Sequence, residues 1–398
     1  MEQPIRVAVV GCGWAGARHA DAYERCGATV EWVVDQDLGR AETLAAPRQR
    51  VRVATDYRKV LSDPKVGAIS ICLLHSLHAQ VAVNAATKGK HVLCEKPLAT
   101  SLEEADRMIE AAERRRVCLM VAENERFDPL LRKVHELLKG GAIGDPALIQ
   151  VTREAYLTED FLRDRRWFLN SQAAAGGVMM SGGIHDFEKI RMLLGEIHSV
   201  SALRARQRFT QMEGDDTSVA MVRFENGAVG TLVESFIMKS LATAAGSEVH
   251  AFRIDGDLGS LCVRDGKTIH LFSEREDLRL GGAPTQHEIL VPEADTFVLE
   301  VEHLLQSTRT GREPLTSGRS QRRALEVVLG AYRSMESGGR PVKLTQTGTE
   351  VTVPSGVSTA APKTQQIIAY KLCLRLLPAN ALLSRVGDDG FKPATFAV

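Results

Sequence analysis

Gly11, Gly13 and Gly16 form a Gly-x-Gly-x-x-Gly turn directly after the apolar run Val7-Ala8-Val9-Val10. That spacing suits the holding of a pyrophosphate. The first two glycines permit a tight turn and close backbone approach, and the third lets the next helix pack near the strand. The loop residues Cys12, Trp14 and Ala15 then offer free N–H groups and partial positive charge at a helix start. A second apolar run, 29–34, ends at Asp35, nineteen residues after Gly16. An acid at about 20 residues is where a ribose 2′-hydroxyl is gripped. No arginine follows until Arg40, so the sequence favours NAD, with NADP the lesser choice. Asp35 also suits the N-cap of a helix at 38–46, and the two roles are compatible.

Lys96 is the second chemical group. It ends the run Lys90-His91-Val92-Leu93-Cys94-Glu95 and precedes Pro97. Open α/β sheets place ligands at the carboxyl ends of their strands. A partly desolvated ammonium there has a lowered pKa and can trade a proton with a hydroxyl. A solvated lysine at a strand end is the plainer reading, and the residues alone leave both open. Pro97 makes a cis peptide accessible. Cys12, at a helix start, is either a favoured thiolate or an incidental small residue.

The elements that must carry these groups follow from periodicity. Strands are predicted at 5–10, 29–34, 50–54, 67–73, 90–94 and 117–121, with helices at 15–26, 38–46, 56–61, 76–88, 101–115 and 127–139. Near-continuous apolar strands such as 69–74 imply burial on both faces, hence a parallel sheet wrapped by helices. Ser101 with Glu104 is a capping box. Beyond Gly144-Asp145-Pro146 the pattern turns to period 2, at 147–154, 198–208, 218–224, 228–236, 248–254 and 259–263, with a hairpin turn at Glu225-Asn226-Gly227. That predicts a mostly antiparallel sheet, interrupted by a helix at 184–194 and followed by helices near 295–309 and 319–336. The expected organisation is a doubly wound dinucleotide-binding domain at 1–124 and an α/β domain with an open sheet at 125–345. A helix near 319–336 is positioned to pack back on the first domain. Residues 346–398 form an extension of unknown role, with a basic-apolar segment at 365–385.

The chain of 398 residues carries 50 basic and 50 acidic side chains, so no charge asymmetry points to nucleic acid or an anionic membrane. No apolar stretch approaches the ~20 residues of a membrane span. The seven cysteines are scattered without metal-ligand spacing. These features favour a cytoplasmic protein without a structural metal.

Four further features carry a family resemblance. They are Gly89-Lys90-His91 leading to Glu95-Lys96-Pro97, His78 at the preceding helix, Phe127-Asp128-Pro129 after the sixth strand, and Gly176 to His185. With the glycine loop, they make residues 5 to 345 similar to the Gfo/Idh/MocA oxidoreductases, named for glucose–fructose oxidoreductase and inositol dehydrogenase. The resemblance implies a Rossmann domain, an antiparallel-sheet domain that builds a homodimer or homotetramer, and hydride transfer between nicotinamide and a secondary alcohol or ketone of a sugar or cyclitol. It implies that Lys96 is the acid/base and that His185 assists. It places His78 and Glu95 near the nicotinamide.

Two departures from the family pattern stand out. The family aspartate four residues before the histidine is Ser181, which can hydrogen-bond a hydroxyl but orients an imidazole less well; Asp186 or Glu188 are candidates to substitute in part, with Glu188 fitting better as the family's later acid that supports the helix. Where relatives often show Thr-Pro-Asn, this chain has Leu73-Leu74-His75, and His75 either faces the cofactor or pocket or lies in an exposed loop. Glu123-Asn124-Glu125-Arg126 follows the sixth strand and should face the cleft. Trp167, after Arg165 and Arg166, either forms an aromatic plate for a polyhydroxylated ring or belongs to the core. Two other functions fit the same resemblance. One is an NAD-dependent glycoside hydrolase working by transient oxidation and elimination. The other is a non-catalytic dinucleotide-binding protein, which Ser181 suggests and the retained Lys96 and His185 oppose.

Overall fold

The computed structural model describes residues 5–163, 165–239, 248–278 and 285–345. The extension at 346–398, with its segment 365–385, lies outside the described residues. Six strands form the first sheet: β1 (Arg6–Val10), β2 (Thr29–Val34), β3 (Arg52–Ala54), β4 (Ala68–Ile71), β5 (His91–Glu95) and β6 (Leu119–Ala122). All pairs are parallel, in the order β3-β2-β1-β4-β5-β6. β4 and β6 are buried throughout, as their unbroken apolar runs require when helices cover both faces. The order reverses between β1 and β4, which opens a crevice at the carboxyl ends of the strands.

Local chemistry sets the helix starts. Asp37 caps the helix Leu38–Ala45 through the Gly39 and Arg40 N–H groups, and Ser101 caps Leu102–Arg115 through the Glu104 N–H. Glu104 reaches back to the Thr100 N–H rather than to that of Ser101, one residue outside a standard capping box.

Nine strands form the second sheet: β7 (Pro146–Glu154), β8 (Ile197–Arg204), β9 (Thr217–Phe224), β10 (Val229–Ser235), β11 (Val249–Gly256), β12 (Gly259–Val263), β13 (Thr268–Ser273), β14 (Thr285–Leu290) and β15 (Val342–Lys343). Their order is β14-β13-β12-β11-β7-β10-β9-β8-β15. β7 pairs parallel with β10 and antiparallel with β11, so the first strand of this domain lies at its middle. The sheet is therefore mixed at one pair and antiparallel elsewhere. β13, β14 and β15 exceed the strands expected from period 2.

The helix Gly183–Leu194 is buried nearly all round. It lies against β7 and β10 on one side and the helices Pro129–Lys139 and Gly318–Glu336 on others. The helix Gly318–Glu336 covers β8 and also meets Leu102–Arg115 of the first sheet's helical layer. There Gly318 sits so close to Leu119 and Ile109 that a Cβ would lie 2.8 Å from a Leu119 methyl, and Arg322 pairs with Asp106 at 2.5 Å. Both sheets thus belong to one compact unit. Ahead of the helix Gly183–Leu194, the chain makes three short helical turns, Arg166–Leu169, Ser171–Ala174 and Val178–Ser181, which periodicity is too short to reveal.

Candidate active site

The glycine loop is shaped by contact on two sides and is open on the third. Gly11 has φ +99°, and a Cβ there would meet the Cys72 carbonyl oxygen at 2.0 Å; at Gly16 it would meet the Gly11 carbonyl oxygen at 1.9 Å. Both positions therefore exclude a side chain. A Cβ on Gly13 would meet nothing within 4 Å, which leaves room over the start of the helix Trp14–Arg25. Asp35 is tethered to this loop. Its Oδ2 accepts the Cys12 N–H at 2.8 Å and its Oδ1 the Asp37 N–H at 3.0 Å. The cradle and the acid fit a dinucleotide with a free ribose 2′-hydroxyl. Trp14 is exposed and meets Phe297 edge-on at 5.7 Å. Ala15 is half-buried. The Cys12 thiol is pushed up to about 12 by burial and then by the Asp35 carboxylate. Desolvation and a like charge thus oppose a thiolate at this position.

Lys96 leaves the end of β5 through a cis Lys96–Pro97 bond. Its Nζ donates to the Ser181 carbonyl at 2.8 Å, which joins the first sheet to the glycine turn of the second domain. Burial pulls its ammonium below the usual lysine range, against the opposing fields of Glu95 and Glu123. Glu95 accepts the Lys96 N–H at 3.1 Å through Oε2 and faces His19 Nε2 at 3.2 Å through Oε1. Burial pushes the Glu95 carboxyl up, but the hydrogen bond and charge of His19, with Lys96, bring it below its ordinary value. The other ring nitrogen of His19 lies 2.6 Å from Ser70 Oγ.

His185 begins one turn beyond Ser181, its N–H bonded to the Gly182 carbonyl at 3.0 Å. Its Nδ1 lies 2.6 Å from Glu123 Oε1. Glu123, at the end of β6, is 1% exposed, and its Oε2 has no hydrogen-bond partner among the described residues. Neither acid weighed from the sequence serves this imidazole. Asp186 accepts from Arg153 Nε at 2.7 Å and Lys189 Nζ at 2.5 Å, and Glu188 accepts from Arg191 at 2.5 Å. Their buried cationic partners lie on β7 and on the helix itself, so both carboxylates are committed. Burial pushes the Glu188 carboxyl up to about 7 despite Arg191.

Ser181 turns its hydroxyl into its own helical turn, donating to the Gly177 carbonyl at 2.8 Å; what it presents to Lys96 is its backbone. Asn124 donates to Thr296 Oγ1 at 2.7 Å. Two guanidinium nitrogens of Arg126, Nε and Nη1, are buried with no partner among the described residues. His75 is 5% exposed, which excludes an exposed loop. Its Nδ1 lies 2.6 Å from the Ala174 carbonyl, and its ring meets Trp167 edge-on at 5.3 Å. Burial, then His78 and Lys96, push His75 down to about 3, so it stays neutral. It therefore clamps the segment bearing Trp167 onto the first domain. His78 is also buried, with Nδ1 2.8 Å from the Pro97 carbonyl and Nε2 3.1 Å from the Leu73 carbonyl. It braces the loop after β4 against the turn that carries Lys96.

Two contacts were not read from the sequence. Glu123 stood among four polar residues expected near the cleft, with no local signal for its partner. Tyr332, on the helix Gly318–Glu336, accepts the Gly177 N–H at 2.9 Å and donates to Asp215 at 2.8 Å. It props the glycine turn from behind. The paired glycines at 176 and 177 were the available signal for such an approach, since a Cβ on Gly177 would lie 2.0 Å from the Asp215 carbonyl oxygen.

Among the described residues no helix is long and apolar enough to cross a membrane, and no cluster of three potential metal ligands occurs. The chain is 26% identical over 349 residues to a myo-inositol 2-dehydrogenase of Thermotoga maritima, covering 85% of this chain and 98% of that one. It is 28% identical over 355 residues to the NAD-dependent scyllo-inositol 2-dehydrogenase of Bacillus subtilis, covering 86% and 97%. A solved levoglucosan dehydrogenase in complex with NADH and levoglucosan shares the fold, with a TM-score of 0.78, 22% identity, and 86% of this chain and 100% of that one covered. The model of the oxidoreductase family with an NAD-binding Rossmann fold matches residues 5–123, and that of its C-terminal alpha/beta domain matches 135–344. Both domain matches, in sequence order and together covering most of the chain, lead to one conclusion: the chain belongs to the Gfo/Idh/MocA oxidoreductase family.

Proposed function

We propose that this protein is an NAD-dependent dehydrogenase or reductase of a secondary alcohol, or its ketone, on a sugar or cyclitol. The observation that carries this reading is the Lys96 ammonium, half-buried at the end of β5 and held by the Ser181 carbonyl one turn from His185. It lies at the same sheet end as the glycine loop and Asp35. The inositol dehydrogenases among its relatives act on such rings.

NAD, when bound, supplies the acceptor for the hydride that leaves the substrate carbon. Gly11 to Gly16 would hold its pyrophosphate and Asp35 its ribose. The chain's own work is with the proton. As the carbon gives up hydride, the hydroxyl must lose H⁺, and a lysine whose pKa is lowered by burial reaches the neutral, proton-accepting form more readily. In the reverse direction Lys96 Nζ returns that proton to the carbonyl oxygen. His185 accepts or relays it onward. The Arg153 guanidinium is spent on Asp186 and Glu125. Leu203, Val219 and Met221 are exposed on one face of β8 and β9. A homodimer or homotetramer through that face would cover them.

The test is a fluorescence titration of the full chain with NADH and NADPH, followed by absorbance at 340 nm with cyclitols and aldoses. Tighter NADH binding and NADH formation with a polyol support the reading. Absence of binding by either nucleotide overturns it, and bound cofactor that never exchanges points away from a dehydrogenase.

A further inference from the structure

We infer that Glu123 is the residue that positions His185 for proton exchange, acting from the first domain on an imidazole of the second. This rests on the dehydrogenase reading above. The geometry is direct: Nδ1 and Oε1 are 2.6 Å apart, a short, charge-assisted contact. An ionised carboxylate can only accept, so in a neutral imidazole the shared proton would sit on Nδ1 and Nε2 would keep its lone pair. Nε2 has no partner among the described residues, and the His185 side chain is 12% exposed while Glu123 is closed off. The ring therefore has a held side and an open side. A substrate hydroxyl or a water beside Lys96 would meet the open one.

Nothing nearer in the chain competes for this task. Ser181 bonds Gly177 and Lys96, Asp186 bonds Arg153 and Lys189, and Glu188 bonds Arg191. The carboxylate absent from the glycine turn has thus been replaced from across the domain boundary. Glu123 and His185 are 62 positions apart, on β6's end and on the helix Gly183–Leu194. The pair exists only when the two layers are docked. Glu123 also bears on Lys96, so one carboxylate influences both proton-handling groups.

Charged groups surround the pair: Lys96 from β5, Glu125 and Arg126 after β6, Arg153 from β7, Glu188 from the histidine's own helix and Glu300 from Thr296–Thr310. A pH profile would mix their titrations, so the tautomer of His185 is the sharper readout. Full-length protein labelled with ¹⁵N-histidine, with His185→Gln to assign the signals, reports it without any substrate. The expected result is His185 protonated at Nδ1 and bare at Nε2, with that pattern lost in Glu123→Gln. In the polyol assay Glu123→Gln should lower kcat by about 10–100-fold, while KM and NADH affinity move less than about threefold. A His185 protonated at Nε2 in the unmodified protein, or a Glu123→Gln kcat within twofold, overturns the inference. If Glu123→Gln does not fold, the tautomer of the unmodified protein decides alone. A polyol panel that yields no turnover counts against the proposed reaction and leaves the tautomer test intact.

Discussion

Two histidine–carboxylate pairs stand at the ends of adjacent strands, and they differ in what the far ring nitrogen meets. At β5, Glu95 faces His19 Nε2 at 3.2 Å, and Ser70 takes the other nitrogen at 2.6 Å. The ring is wholly buried. At β6, Glu123 holds His185 Nδ1, and the remaining nitrogen has no hydrogen-bond partner among the described residues. The first pair is closed on both sides and can only hold a charge in place beneath Lys96. The second is closed on one side and can pass a proton. Residue type is the same in both; what separates support from chemistry is the second neighbour.

The comparison breaks most visibly at Lys96. Lys96→Ala should lower kcat for polyol oxidation by about 10²–10⁴-fold while NADH still binds, as read by fluorescence titration. Retained turnover would sink the proton-transfer role. For the open pair, His185→Gln should cost about 10²-fold in kcat, with little change in unfolding midpoint. The closed pair should respond the other way. His19→Leu leaves Glu95 and Ser70 without their partner and should cost about 1–3 kcal/mol of stability, measured by urea unfolding, with less than about a tenfold loss of turnover. If His19→Leu abolished turnover without loss of stability, the division between the pairs would be wrong.

A smaller effect follows from pH. Burial alone would pull His19 down, but the Cys72 sulfur and the Glu95 carboxylate outweigh it and push it up to about 10. A group whose folded value is raised stabilises the fold fully below its unfolded value, near 6.5, and loses that contribution as pH rises through the folded one. The urea midpoint of the unmodified protein should therefore fall between pH 7 and 10 relative to that of His19→Leu. Parallel curves would show that His19 is not held charged.

The glycine loop, Asp35 and the Lys96 strand end were legible because their signals are local. A strand, a turn and a helix start lie within a dozen residues, and burial on both faces writes an unbroken apolar run. The second sheet was less legible. β13 follows an Arg264-Asp265-Gly266-Lys267 turn that masked its alternation, and the short helical turns of 166–181 contain too few residues to show a period. The role of Ser181 was read as a missing acid; its backbone carbonyl, which every residue has, is what meets Lys96.

The sequence by itself determined the order of elements, the glycine turn after β1 and the strand end that carries Lys96, since each depends on spacing within one segment. Tertiary structure alone decided which carboxylate serves His185, that His75 clamps Trp167 rather than lying exposed, and that Asp186 is committed to Arg153 and Lys189. Those choices are made between residues tens of positions apart. They are settled by which buried charge lies nearest once the helix Gly183–Leu194 has packed against the turn Asn124–Phe127 that follows β6, and no periodicity within a segment carries that information.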